Sequence, residues 1–164
     1  KRLENLPDLP NLRDEMNLNY FGLVYCLHYT LPHLKQTRGR IVGVGSFGGL
    51  VGLPGTIGYN SSKHAMRGFL NTLRAELTGT GVTVTLVFPG AISGAALAAT
   101  MGENASRVPT MTPERCAQLT IQAAARRQRQ RILTFEGKFL FWLSLLIPGI
   151  LDRQLNRLSG LYRQ

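Results

Sequence analysis

Ile41-Val42-Gly43-Val44-Gly45-Ser46 is a short apolar run that dissolves into glycine, and thirteen residues after Ser46 begins Tyr59-Asn60-Ser61-Ser62-Lys63. A four-residue, nearly all-apolar run is the signature of a strand buried on both faces, as in a parallel sheet. Glycines at 45, 48, 49, 52, 55 and 58 make the following stretch too glycine-rich for a regular element. From Ile57 to Leu77 the period changes: Tyr59, Lys63, Met66, Phe69, Leu70, Leu73 and Leu77 recur at helical steps. Val82 to Phe88 is a second buried strand, closed by Pro89-Gly90. Upstream, Met16, Tyr20, Leu23, Val24, Leu27 and Leu31 predict a helix over 14–34. Downstream, Thr112-Pro113-Glu114 predicts a capped helix running to about Arg127, and Arg131 to Phe135 a last short strand. Strands alternating with helices imply an α/β fold with a parallel sheet and helices on its faces. Three such strands would leave Ile41 to Val44 as a long unpaired edge, so the pattern is that of the second half of a doubly wound sheet.

Composition narrows the chemistry. The chain has 164 residues, 44% of them apolar and 17% charged, which suits one folded domain and not a disordered tail. The longest apolar run, 139–151, is interrupted by Ser144 and Pro148 and falls short of the roughly 20 residues of a spanning helix. Lys1-Arg2 leads into acidic, proline-bearing sequence, which is not the expected start of a signal peptide. Cys26 and Cys116 form no disulfide framework or zinc spacing; a reducing, cytoplasmic setting is expected. The net charge is +10, yet the only dense basic run is Arg126-Arg127-Gln128-Arg129-Gln130-Arg131, without interleaved aromatics, so nucleic acid is not the expected partner. Between Glu15 and Glu76 there are 60 residues without Asp or Glu. Over that stretch a paired-carboxylate hydrolase site and a local carboxylate metal cluster are excluded. Chemistry there must run on hydroxyls, amides, lysine or histidine.

Gly43-Val44-Gly45-Ser46-Phe47-Gly48 satisfies G-x-G-x-x-G, but a dinucleotide site needs a helix to open there, and Gly49, Gly52, Pro54 and Gly55 prevent one. Val44, two before Ser46, breaks the nucleophile-elbow pattern. His28, His33 and His64 have no acidic neighbour to orient them in a triad, and read as surface or capping residues. Tyr59 and Lys63, four apart on one helix, face the same way. An ordinary phenol, with a pKa near 10, needs roughly 4 kcal/mol of phenolate stabilisation to serve as acid and base at neutral pH, and a neighbouring ammonium is the kind of field that supplies it. Tyr-x-x-x-Lys alone is unspecific. Ser46 and Pro89-Gly90, however, fall at the carboxyl ends of adjacent strands, where open parallel sheets hold their ligands.

The ordered set Asn19-Tyr20-Phe21-Gly22, Leu31-Pro32, Gly45-Ser46, Tyr59-Asn60-Ser61-Ser62-Lys63 and Pro89-Gly90-Ala91-Ile92 resembles the short-chain dehydrogenase/reductase family from about Asp14 onward. The resemblance implies a Rossmann-type, doubly wound parallel sheet, present here as its C-terminal half. It implies an NAD- or NADP-dependent oxidoreductase that moves a hydride between the nicotinamide and a secondary alcohol or ketone. Tyr59 would donate or accept the proton. Lys63 would stabilise its phenolate and bind the nicotinamide ribose, and Ser46 would hold the substrate oxygen. Asn19 would position a relay water, while Pro89, Gly90 and Ile92 would line the nicotinamide pocket. Leu73-Arg74-Ala75-Glu76-Leu77 and the apolar, basic tail resemble members acting on steroids, retinoids and other lipid-like substrates. The helices at 14–34 and 57–77 resemble those that pair between subunits, which implies a homo-oligomer.

Two departures stand out. The family's Gly-x-x-x-Gly-x-Gly turn and Asn-Asn-Ala-Gly strand end are absent from these 164 residues, and with them any basis for choosing NAD or NADP. Gly94 stands where many members carry a threonine, with Ser93 beside it as a substitute hydroxyl. The expected organisation is a catalytic portion over 1–135 and an apolar, basic extension over 136–164. That extension has two readings: a lid or subunit contact, or a helix lying in a membrane interface beside Arg153, Arg157 and Arg163. The rival to an enzyme is a non-catalytic module that docks on a membrane or partner through this tail.

Overall fold

In the computed structural model, which describes residues 3–5, 10–102, 106 and 108–159, strand β1 (Arg40–Val44) pairs in parallel with β2 (Thr83–Phe88). Their register runs from Arg40 opposite Thr83 to Val44 opposite Val87. Strand β5 (Gln130–Ile132) lies on the other side of β2, giving the order β1-β2-β5, all parallel. β2 is therefore central, and Val84 through Phe88 are all buried.

The alternation of β2 assigns a helix layer to each face. Val82, Val84, Leu86 and Phe88 join one core cluster with Met66, Leu70, Leu73 and Leu77, from or just after α3 (Ile57–Glu76), and with Leu27 of α2 (Gly22–Thr37). Gly43 lets α3 come this close, because a Cβ there would collide with the Leu70 side chain. Val87 is buried on the other face, where α5 (Pro113–Ala125) packs on β1 and β2 and buries Cys116, Leu119 and Ala123. Helices on both faces of a parallel sheet make this a doubly wound α/β fold, as the alternation predicts.

The helix expected over 14–34 is longer and less regular. It begins as α1 (Pro10–Met16), passes through a π-helical turn at Asn17–Phe21, and continues as α2 to Thr37. Arg38, at φ 51°, closes it, and the Gly39 N–H bonds the Leu34 carbonyl at 2.8 Å. Thr112 caps α5 as read, its hydroxyl accepting from the Arg115 N–H at 3.2 Å. The expected strand at 131–135 ends earlier, because Thr134 caps a further helix, α6 (Phe135–Leu146), by accepting from the Gly137 N–H at 3.1 Å. Pro148 then splits the apolar tail, starting α7 (Pro148–Ser159). Leu151 enters the core cluster, and Leu140, Phe141, Leu143 and Leu155 pack against it. Three elements have no counterpart in the sequence reading. Strands β3 (Ala91–Ile92) and β4 (Thr110–Met111) form a two-residue parallel pair, and α4 (Ala95–Met101) follows Gly94.

Candidate functional site

The carboxyl ends of β1 and β2 are tied together by backbone. The Gly45 N–H donates to the Val87 carbonyl at 2.8 Å, and the Phe47 N–H donates to the Pro89 carbonyl at 3.0 Å. Between these bonds the chain leaves β1 through Ser46, which is extended, and makes one 3₁₀ turn at Phe47–Gly49. The Ser46 hydroxyl caps that turn, accepting from the Gly48 N–H at 3.2 Å. No helix opens until Ile57, so the G-x-G-x-x-G match at 43–48 lacks the helix a pyrophosphate needs.

Two glycines seat this turn on α3. A Cβ on Gly48 would collide with Asn60 Oδ1 and touch the Tyr59 ring edge at 3.5 Å, while one on Gly49 would press on Lys63 Cβ at 3.1 Å. The turn that carries Ser46 thus lies directly on Tyr59 and Lys63. Lys63 turns back toward the strand end: its Nζ donates to the Val44 carbonyl at 3.4 Å and stands 5.7 Å from the centroid of the Tyr59 ring. Burial holds the Lys63 ammonium below its ordinary pKa.

Asn19 joins from the π-helical turn, an irregularity that recurs at functional sites. Its Nδ2 donates to Ser62 Oγ at 3.1 Å, and that hydroxyl donates to the Tyr59 carbonyl at 2.8 Å. Ser62 is fully buried. Asn19 therefore meets α3 between the two candidate residues, through a serine the sequence reading did not single out. A serine three residues after Tyr59 is too common a pattern to have marked it.

Pro89 is buried at the end of β2, and Gly90 lies under Thr134, whose Cγ2 would be 3.0 Å from a Cβ there. Ile92 sits in the small sheet opposite Met111. Ser93, the substitute hydroxyl beside Gly94, is already engaged: its Oγ donates to the Met111 carbonyl at 3.3 Å. All three histidines are exposed helix residues; His64 bonds the Asn60 carbonyl one turn back. A groove of about 580 Å³ runs past Leu53, Pro54, Ile57 and His64, with neither Tyr59 nor Lys63 in its wall. Among the described residues no cluster of His, Cys, Asp or Glu is placed to hold a metal, and no helix is long and apolar enough to cross a membrane.

The donor set of a phenol and an ammonium at the strand ends suits the hydroxyls of a nicotinamide ribose. Nothing at β1 supplies the run of backbone N–H groups that a pyrophosphate requires. Among the described residues, those at the strand ends fit the nicotinamide end of a dinucleotide.

Comparison with known proteins identifies the family. The sequence model of a family described as short chain dehydrogenase matches residues 4–106. An Arabidopsis thaliana protein named 11-beta-hydroxysteroid dehydrogenase-like 4A is 34% identical over 92% of this chain and 52% of its own length. The chain spans about half the length of the first curated relatives it matches. Among solved structures, a short chain dehydrogenase from Burkholderia cenocepacia J2315 in complex with NADP superposes with a TM-score of 0.82 at 24% identity, over 94% of this chain and 63% of that one. ElxO with NADP bound superposes with a TM-score of 0.69 at 25% identity, over 80% of this chain and 58% of that one.

Proposed function

The chain belongs to the short chain dehydrogenase family, and from that premise we propose that residues 1–135 are the catalytic portion of an NAD- or NADP-dependent oxidoreductase acting on a hydrophobic secondary alcohol or ketone. The observation that carries this reading is Lys63. Its half-buried ammonium is turned back against a strand end and beside the Tyr59 ring, the placement that lets a cation act on a phenol.

In this reading a bound nicotinamide dinucleotide supplies or accepts the hydride, and the chain's own residues manage the proton and the oxygen. The Tyr59 phenol gives its proton to the carbonyl oxygen in reduction and takes it back in oxidation. Lys63, being cationic, favours the phenolate left behind and holds the ribose hydroxyls. Ser46, fixed by the Gly48 N–H on one lone pair, keeps its own O–H free to point at the substrate oxygen as charge develops there. Asn19 sets the α3 backbone at Tyr59 through Ser62, and its proposed part is to position a relay water between Lys63 and solvent. Pro89, Gly90 and Ile92 line the nicotinamide side.

A hydrophobic substrate is supported by the steroid-dehydrogenase names of relatives in Arabidopsis thaliana and Sesamum indicum, and NADP by the ElxO complex. A homo-oligomer is supported by the exposed aromatic stripe Phe21, Tyr25 and Tyr29 on and beside α2. The test is to incubate the native full-length protein with steroid and aliphatic ketones and either reduced nicotinamide dinucleotide, and to identify products by mass. The corresponding secondary alcohol is expected, formed with one cofactor in preference to the other. Cofactor binding without any alcohol product from this panel would count against the substrate class, and no cofactor binding at all against the reading as a whole.

A further inference from the structure

The outer face of α6 takes no part in that site. Phe135, Phe139, Trp142 and Leu145 follow one another at steps of three and four, and Leu146 lies four after Trp142, so they form a single stripe. All are exposed, Trp142 at 60% and Leu146 at 74%, and the stripe runs on through exposed Ile147 and Ile150. The helix is not loosely attached: Leu140, Phe141 and Leu143 pack on the core, and the Arg67 guanidinium lies between the Phe88 and Phe141 rings at 5.9 and 5.8 Å. Beside the stripe is a groove of about 440 Å³ walled by Arg126, Arg131, Lys138, Phe141 and Trp142, with no carboxylate in its lining. Trp142 belongs to both surfaces.

We propose that this face docks on an anionic lipid bilayer, the α6 stripe entering the headgroup boundary and Arg126, Arg131 and Lys138 meeting lipid phosphates. An exposed apolar stripe flanked by cations, with a tryptophan where the two meet, is the pattern of an interfacial helix. Charge decides the occupant. A second copy would set one groove of cations against another in a symmetric contact, and the chain carries a net charge of +10. This inference does not depend on the hydride-transfer reading.

Trp142 is the only tryptophan, so its fluorescence reports on this face alone. The full chain is to be mixed with vesicles of phosphatidylcholine, and of equal parts phosphatidylcholine and phosphatidylserine, followed by emission and co-sedimentation. A blue shift and sedimentation are expected with the anionic vesicles, both weakened by salt. Arg126→Gln with Lys138→Gln is expected to lower the partition coefficient about tenfold or more. Phe139→Ser with Leu146→Ser is expected to abolish the shift. All four positions are exposed, and equal thermal unfolding of the variants would show that the fold is kept. Unchanged Trp142 emission with anionic vesicles, or sedimentation that survives both double variants, overturns the proposal. So does a blue shift that grows with protein concentration in the absence of lipid, which would assign the face to a second copy.

Discussion

Lys63 bears the clearest electrostatic cost in the candidate site. Burial lowers its pKa from the ordinary 10.5, so the folded chain releases this proton at a lower pH than the unfolded chain does. Between those two values the unfolded state holds more protons, and stability rises with pH across that window. Lys63→Met is therefore expected to raise the Tm at neutral pH and flatten that rise, while turnover is lost. A Tm lowered by several degrees would show that the ammonium supports the fold. Activity should fall as pH climbs through the lowered Lys63 value, because the cation beside Tyr59 is then gone. Ser46 presents a different balance. Its acceptor role toward the Gly48 N–H closes a partly buried turn, so Ser46→Ala is expected to cost about 1–3 kcal/mol of stability. The same change should lower kcat about a hundredfold, with KM nearly unmoved, if the hydroxyl acts on charge that develops only in the transition state. Steady-state kinetics separates the two: a raised KM at constant kcat would make Ser46 a simple binding group.

At the level of elements, the site depends on how closely the turn at Phe47–Gly49 approaches α3. Neither Gly48 nor Gly49 has a positive φ, so both are glycine for want of room and not for backbone freedom. Gly48→Ala should force Asn60 aside, at about 1–3 kcal/mol in urea unfolding, with turnover reduced because the turn that carries Ser46 is pushed off the helix that carries Tyr59. An unchanged midpoint and unchanged rate would mean that the contact is slack. Thr134 plays two parts at the opposite strand end, capping α6 and covering Gly90, so Thr134→Ala is expected to cost about 1 kcal/mol by the same measurement. These contacts were not legible in the sequence. A glycine in a loop reads the same whether it serves a turn or a close approach, and Thr134 in isolation reads as the end of a strand. The long amphipathic α3 was legible, since its apolar side repeats over twenty residues. The π-helical turn that carries Asn19 was not, because one extra residue in a turn leaves the surrounding period almost intact.

The whole molecule shows which parts of such a fold a sequence can reveal. The order β1-β2-β5 and the helices on both faces were legible because each strand is a compact apolar run and each crossover is helical. The β3–β4 pair and α4 were not. Two-residue strands carry no period, and Ala95–Met101 has no polar face to mark its orientation. Asn19, Ser46, Tyr59 and Lys63 were each singled out as candidates, and the structure gathers them at one end of the sheet. Ser62, Gly48 and Gly49, through which they are held, emerge only from the packing. The proposed roles meet in one reaction, and it can be followed directly. Reduced cofactor carrying deuterium at the nicotinamide's reactive carbon is to be given to the native full-length protein, and to its Tyr59→Phe variant, with a ketone substrate. The expected result is an alcohol with one deuterium on its carbinol carbon, formed at least about a hundredfold more slowly by the variant, with cofactor affinity nearly unchanged. Deuterated alcohol formed by Tyr59→Phe within a few-fold of the wild-type rate would contradict the assignment of Tyr59 as the proton carrier.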